Sequence, residues 1–113
     1  MWTSRDEQEM IAFWKARLDQ DEQVARGCAG NGEWDAEDIA IYGKDLAPDV
    51  RTHMAHHDPA RVLRDVSAAR QRLAKVDEAI GAGHDSYDLA SALLPLELAP
   101  YANHPDYNEA WRP

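Results

Sequence analysis

The feature that most narrows what this chain can fold into is Asp58-Pro59 followed by an apolar residue at every third or fourth position: Val62, Val66, Ala69, Leu73, Val76 and Ile80. An aspartate can accept the free amides of a first helical turn, and a proline fits the first helical position because its missing N–H is not needed there. The alternating spacing puts the six side chains on one face of a single long helix. Arg61, Arg64, Asp65, Arg70, Arg72, Lys75 and Asp77 fall on the other faces, and Gly81 and Gly83 supply a stop. A helix with one apolar face needs partners, so the flanking segments decide the architecture.

Before it, Ser4 and Glu7 have capping-box spacing, and Ile11, Trp14, Leu18, Ala25 and Cys28 share a face. A helix over about Arg5–Arg26 is expected. Gly27 to Gly32 is a loop. Residues 33–42 leave two readings open, a short helix or a short β-strand facing Trp34, and the run Ile39-Ala40-Ile41-Tyr42 favours a strand or an irregular packing segment. Pro48 opens a short helix, about Asp49–His57, that stops before Pro59.

After the central helix, residues 81–85, His84 among them, read as a turn. Asp85 or Ser86 caps a third main helix carried by Leu89, Ala92, Leu93 and Leu96, with Pro95 kinking or shortening it. Asp106 and Glu109 predict a further turn in the tail. Tyr101, Tyr107 and Trp111 are expected to anchor it on the central helix near His53–Leu63. The fold class is therefore mainly α: one domain over residues 1–113, a bundle of three main helices plus a short helix, with a short β segment around residues 33–42.

Composition limits function. Twenty-one acids against 12 bases give a formal charge of −9, which repels phosphate and argues against nucleic-acid binding. The same charge permits an acidic decoy that mimics DNA. No apolar run spans a bilayer, and MWTSRDEQEM is too polar for a secretory signal, so a cytoplasmic protein with no membrane partner is expected. Cys28 is the only cysteine, which excludes an internal disulfide and a cysteine-rich zinc site. The sequence sets no oligomeric state.

Three segments, MIAFWKARLDQDEQVAR, HMAHHDPARVLRDV and LAPYANHPDYNEAWRP, together resemble a small family of unknown function that is widespread in actinobacteria and their phages. His53, His57, Asp58, Pro59, Arg61, Val62 and Leu63 carry the resemblance in the centre. Pro100, Tyr101, His104, Asp106, Tyr107, Trp111, Arg112 and Pro113 carry it in the tail. Many members have a cysteine-containing insertion between the two, where this chain has only residues 81–85. The resemblance implies an architecture and no reaction.

His53 and His57, four apart, lie on one helical face. With Asp58 and His104 they form the one candidate metal set, suited to zinc with an open position. The set lacks the glutamate of HExxH, and Asp58 already has a structural role as a cap. Elbow, phosphate-loop and dinucleotide motifs are absent, so a catalytic site is not assigned and no cofactor is expected beyond this zinc. The favoured expectation is a non-enzymatic protein that binds another protein, with Tyr107, Trp111 and Arg112 as the partner-binding residues. A metal-dependent hydrolase or metal-binding protein and the acidic decoy are the alternatives.

Overall fold

A computed structural model of the chain describes residues 2–28, 30–83 and 85–113. The described residues form five α-helices: α1 (Ser4–Arg26), α2 (Ala36–Tyr42), α3 (Pro48–His56), α4 (Pro59–Ala82) and α5 (Tyr87–Leu98). Two 3-10 turns follow, Ala99–Tyr101 and Glu109–Trp111. The helical class holds, and among the described residues there is no strand.

The β segment expected around residues 33–42 is α2. Local capping decides against the strand. Asp35 is extended and its carboxylate accepts from the Asp38 N–H at 2.8 Å, while Glu37 and Asp38 lie at the positive end of the helix. The Gly43 N–H closes the other end on the Ile39 carbonyl at 2.8 Å. The helix so formed buries no residue.

Two compact units make up the chain. One comprises residues 1–19 and 69–113, the other residues 20–68. The first holds most of the core. Met10, Trp14, Leu18, Leu94 and Leu98 are almost wholly buried there. Burying one leucine stabilises by roughly 1.5–3 kcal/mol.

The α1 start differs from the expected box. Thr3, not Ser4, is the capping side chain: its Oγ1 accepts from the Asp6 N–H, and its own N–H donates to Asp6 Oδ2, each at 3.0 Å. Thr3-x-x-Asp6 has the same spacing one residue earlier. The shift leaves Glu7 on the buried face with Met10, Trp14 and Leu18. Glu7 Oε1 accepts from the Tyr87 hydroxyl of α5 at 2.7 Å, and Oε2 has no partner among the described residues. That bond holds the Tyr87 proton on and raises its pKa.

The buried face of α5 is also rotated from the expected one. Ala90, Ser91, Leu94, Pro95 and Leu98 are buried, while Leu89 and Leu96 are exposed. The helix is apolar nearly all round, so spacing alone admitted both faces. Pro95 withholds an N–H from the Ser91 carbonyl, but the helix continues to Leu98. Gly83, at φ 62°, ends α4; Gly81 lies inside the helix. The turn assigned to His84 lies outside the described residues.

The tail closes on Phe13 of α1. The Phe13 ring lies 6.4 Å from Tyr101, 5.7 Å from His104, 6.0 Å from Tyr107 and 5.3 Å from Trp111. Edge-on rings at these separations add to simple burial. The sequence named His53–Leu63 as the partner of these rings. That stretch belongs to the other unit, and Phe13 takes the role within this one. The final turn is capped by Asn108, whose Oδ1 accepts from the Ala110 N–H at 2.9 Å, rather than by Asp106. Glu109 is instead paired with Arg112 at 2.9 Å.

Candidate functional site

The unit of residues 20–68 is built differently. Asp58 joins its parts. Oδ1 accepts from the Arg61 N–H at 2.8 Å and so caps α4; Oδ2 accepts from the Trp34 N–H at 3.1 Å. The two backbone donors, Arg61 first, hold the Asp58 carboxyl below the usual aspartate range. Gly32 sits beside this junction at φ 76°. A Cβ there would come within 3.2 Å of both the Ala60 nitrogen and Pro59 Cβ, and its carbonyl accepts from the Ala60 N–H at 3.0 Å. The chain entering α2 is thus tied to the start of α4.

Trp34, so held, stands at one side of a groove of about 600 Å³ between α2, α3 and the turn joining them. Ile39, Ile41, Tyr42, Leu46 and Met54 supply its apolar lining, and Glu33 and Asp38 its acidic members. The turn is fixed by the Leu46 N–H donating to the Gly43 carbonyl, and by Arg51 Nη1 donating to the Leu46 carbonyl. Gly43 also lets Leu46 pack close, because a Cβ at Gly43 would meet Leu46 Cδ1 at 2.7 Å.

The side chains at this groove reach water. Tyr42 is 92% exposed, Ile41 65% and Trp34 37%; Val50, one turn before Met54 on α3, is 44% exposed. Neither α2 nor α3 has a buried residue. A contiguous set of exposed large apolar side chains is the ordinary mark of an interaction surface. Sequence reasoning assigned Trp34, Ile41 and Tyr42 to packing. The signal available was their company: four acids interleaved over residues 33–38, which suits a solvent face and not a core strand.

The metal candidates are only partly brought together. His53 and His57 are adjacent and exposed, with ring centroids 4.5 Å apart. Asp58 follows, with each carboxylate oxygen accepting a backbone N–H. His104 lies in the other unit, where its Nδ1 accepts from the Asp106 N–H at 3.0 Å and its ring meets Phe13 edge-on. Among the described residues, no three or more His, Cys, Asp or Glu side chains form a group able to hold a metal ion.

Of the tail residues assigned to a partner, Tyr107 and Trp111 are buried at 8% and 5% exposure, and Arg112 is exposed and bound to Glu109. Elsewhere acids and bases interleave: Arg5 pairs with Glu9, Arg70 with Asp19 at 2.8 Å, and Arg72 with Glu97 through two hydrogen bonds. Exposed pairs of this kind each contribute at most about 1 kcal/mol. No helix among the described residues is long and apolar enough to cross a membrane.

Together these features define a small helical protein with a buried aromatic-rich core and an exposed apolar groove. The chain belongs to a family of unknown function (DUF6221), whose profile matches residues 7–113. No curated protein and no solved structure matches it.

Proposed function

We infer that this is a non-enzymatic protein that acts by binding another protein, and that the α2–α3 groove is where it binds. The observation that carries the reading is the exposure of Trp34, Ile41 and Tyr42 around a groove that the chain's own side chains leave unfilled. Aromatic residues in such positions are the usual anchors of protein interfaces. Tyr107 and Trp111 serve the fold in this reading, and Arg112 is the member of that trio still open to a partner. Cytoplasmic residence and an actinobacterial or phage source accompany the proposal, and an actinobacterial lysate is the natural place to look for the partner.

The test is a pull-down with the wild-type chain beside an Ile41→Asp variant. A partner retained by the wild type and lost by the variant is the expected result. Identical recovery with both would contradict a role for the groove. The interleaving of bases with acids along α1 and α4 favours this reading over an acidic decoy, which needs a continuous acidic face.

A second reading rests on the His53–His57 pair. Two adjacent exposed imidazoles supply two of the four ligands zinc takes, leaving the others to Asp58 or water. Protein purified without a histidine tag should then carry near-stoichiometric zinc, and chelation should lower its melting temperature. Substoichiometric metal and an unchanged melting curve would remove the reading.

A further inference from the structure

We propose that the occupant of the α2–α3 groove is a basic amphipathic helix of a partner protein, which lays apolar side chains between Trp34, Ile41 and Tyr42 and sets lysine or arginine against the groove's acids. This rests on the binding role inferred for the groove and adds the chemistry of what it binds.

Charge is the first argument. Residues 33–49 hold six acids, Glu33, Asp35, Glu37, Asp38, Asp45 and Asp49, against one base, Lys44. This short segment therefore carries −5 of the chain's −9. None of the six acids takes part in an ion pair among the described residues, whereas Glu9, Asp19, Glu22, Asp65, Glu97 and Glu109 all do. Acids left unpaired around an apolar groove raise the local concentration of a cationic partner and repel an acidic one.

Side-chain chemistry is the second. Tyr42 and Trp34 present exposed aromatic faces, which attract a lysine or arginine head while accepting its aliphatic stem. Met54 in the lining can re-pack around differing apolar anchors.

Geometry is the third. With no strand among the described residues, a partner has no sheet edge here to extend, so an extended peptide gains no backbone ladder. A groove between two helices instead accepts a third helix through residues at i, i+3, i+4 and i+7.

The probe is an 18-residue amphipathic peptide of leucine, alanine and lysine, with two controls in which every lysine is replaced by glutamine or by glutamate. Binding to the full chain is followed by fluorescence anisotropy and mapped by NMR shift changes. The lysine peptide should bind with micromolar affinity and shift residues 33–54. Its affinity should fall about fivefold or more between roughly 50 and 500 mM salt. Glu33→Gln with Asp38→Asn should weaken the lysine peptide several-fold and leave the glutamine peptide unchanged. Ile41→Asp should abolish binding without altering the melting curve.

Equal binding of the lysine and glutamine peptides, lost in Ile41→Asp, would overturn the basic occupant and leave the groove's binding role standing. Self-association broken by Ile41→Asp, with no peptide bound, would replace the partner by a second copy of the chain. No binding and no self-association would overturn the proposal and the binding role together.

Discussion

The two units of this molecule spend their apolar residues in opposite ways. Among the described residues, 13 hydrophobic side chains are buried; 11 of them lie in residues 1–19 and 69–113, and two, Ala25 and Val66, lie in residues 20–68. Of the seven large hydrophobic residues left exposed among the described residues, five lie in the second unit: Val24, Trp34, Ile41, Tyr42 and Val50. One unit uses large side chains to hold itself together. The other displays them, with Ile41, Tyr42 and Val50 on two short helices. A residue's type therefore says less about its role than the unit it stands in: Trp14 and Trp34 are chemically the same, and one is core while the other is surface.

The sharpest way to break that contrast is to truncate both tryptophans. Trp14→Ala should cost about 3–5 kcal/mol, enough to leave a small domain largely unfolded at room temperature. Trp34→Ala, at a side chain 37% exposed, should cost clearly less. If the two losses were comparable, Trp34 would belong to a core and the groove would not be a free surface.

Phe13→Leu is the next largest. It keeps most of the volume and loses the ring contacts to Tyr101, His104, Tyr107 and Trp111, at a cost of roughly 1–2 kcal/mol. Limited proteolysis should then cut first within residues 103–113. Resistance there equal to the wild type would show that the tail is held by something other than Phe13.

Much of this was legible in the sequence, and the failures share a cause. The spans of α1 and α4 follow from capping residues and 3.6-residue periodicity and that of α3 from Pro48 and Pro59, all of which act locally. A turn near Trp111 is expected from Asp106 and Glu109, but Asn108 caps it. Where two registers were both plausible locally, the choice was made by tertiary contacts that a pattern cannot show. Thr3 caps α1 because burying Glu7 against Tyr87 moves the start by one residue. α5 turns Leu94 and Leu98 inward, leaving Leu89 and Leu96 out, on a helix too apolar to have an obvious face. The Ile-Ala-Ile-Tyr run carries strand propensity but sits between an Asp35 cap and a Gly43 stop, and capping wins in a segment with nothing to pair with. The groove was illegible because reading large apolar residues as buried is the default, and here the acids around them were the better guide.

Smaller effects sharpen the same contrast through pH. Asp58 has a folded pKa below its unfolded value, so its contribution is complete above about pH 4 and is lost as pH falls through the lower folded value. In that acid range the groove's Trp34 anchor should loosen before the core does. Trp34 fluorescence, taken as the difference between the wild type and Trp34→Phe because Trp2, Trp14 and Trp111 also emit, should shift at a higher pH than the far-UV signal. Asp58→Asn should remove the gap between the two transitions and lower the melting temperature at neutral pH by a few degrees. Coincident transitions in the wild type would place Trp34 and the core in one cooperative unit.

The smallest effect expected is that of Tyr42→Ala. A side chain 92% exposed should leave stability within about 0.5 kcal/mol of the wild type. A larger loss by denaturant titration would mean that Tyr42 is packed against something the groove geometry does not include.

Native-state hydrogen exchange reads the division between the units most directly. The amides of α2 and α3, in helices with no buried residue, should exchange through local openings well below the global unfolding free energy. The α1 amides from Met10 to Leu18 and the α5 amides from Leu94 to Leu98 should exchange only near that global value. A single protection level shared by all four stretches would contradict the account, because the helices that line the groove would then open only with the core.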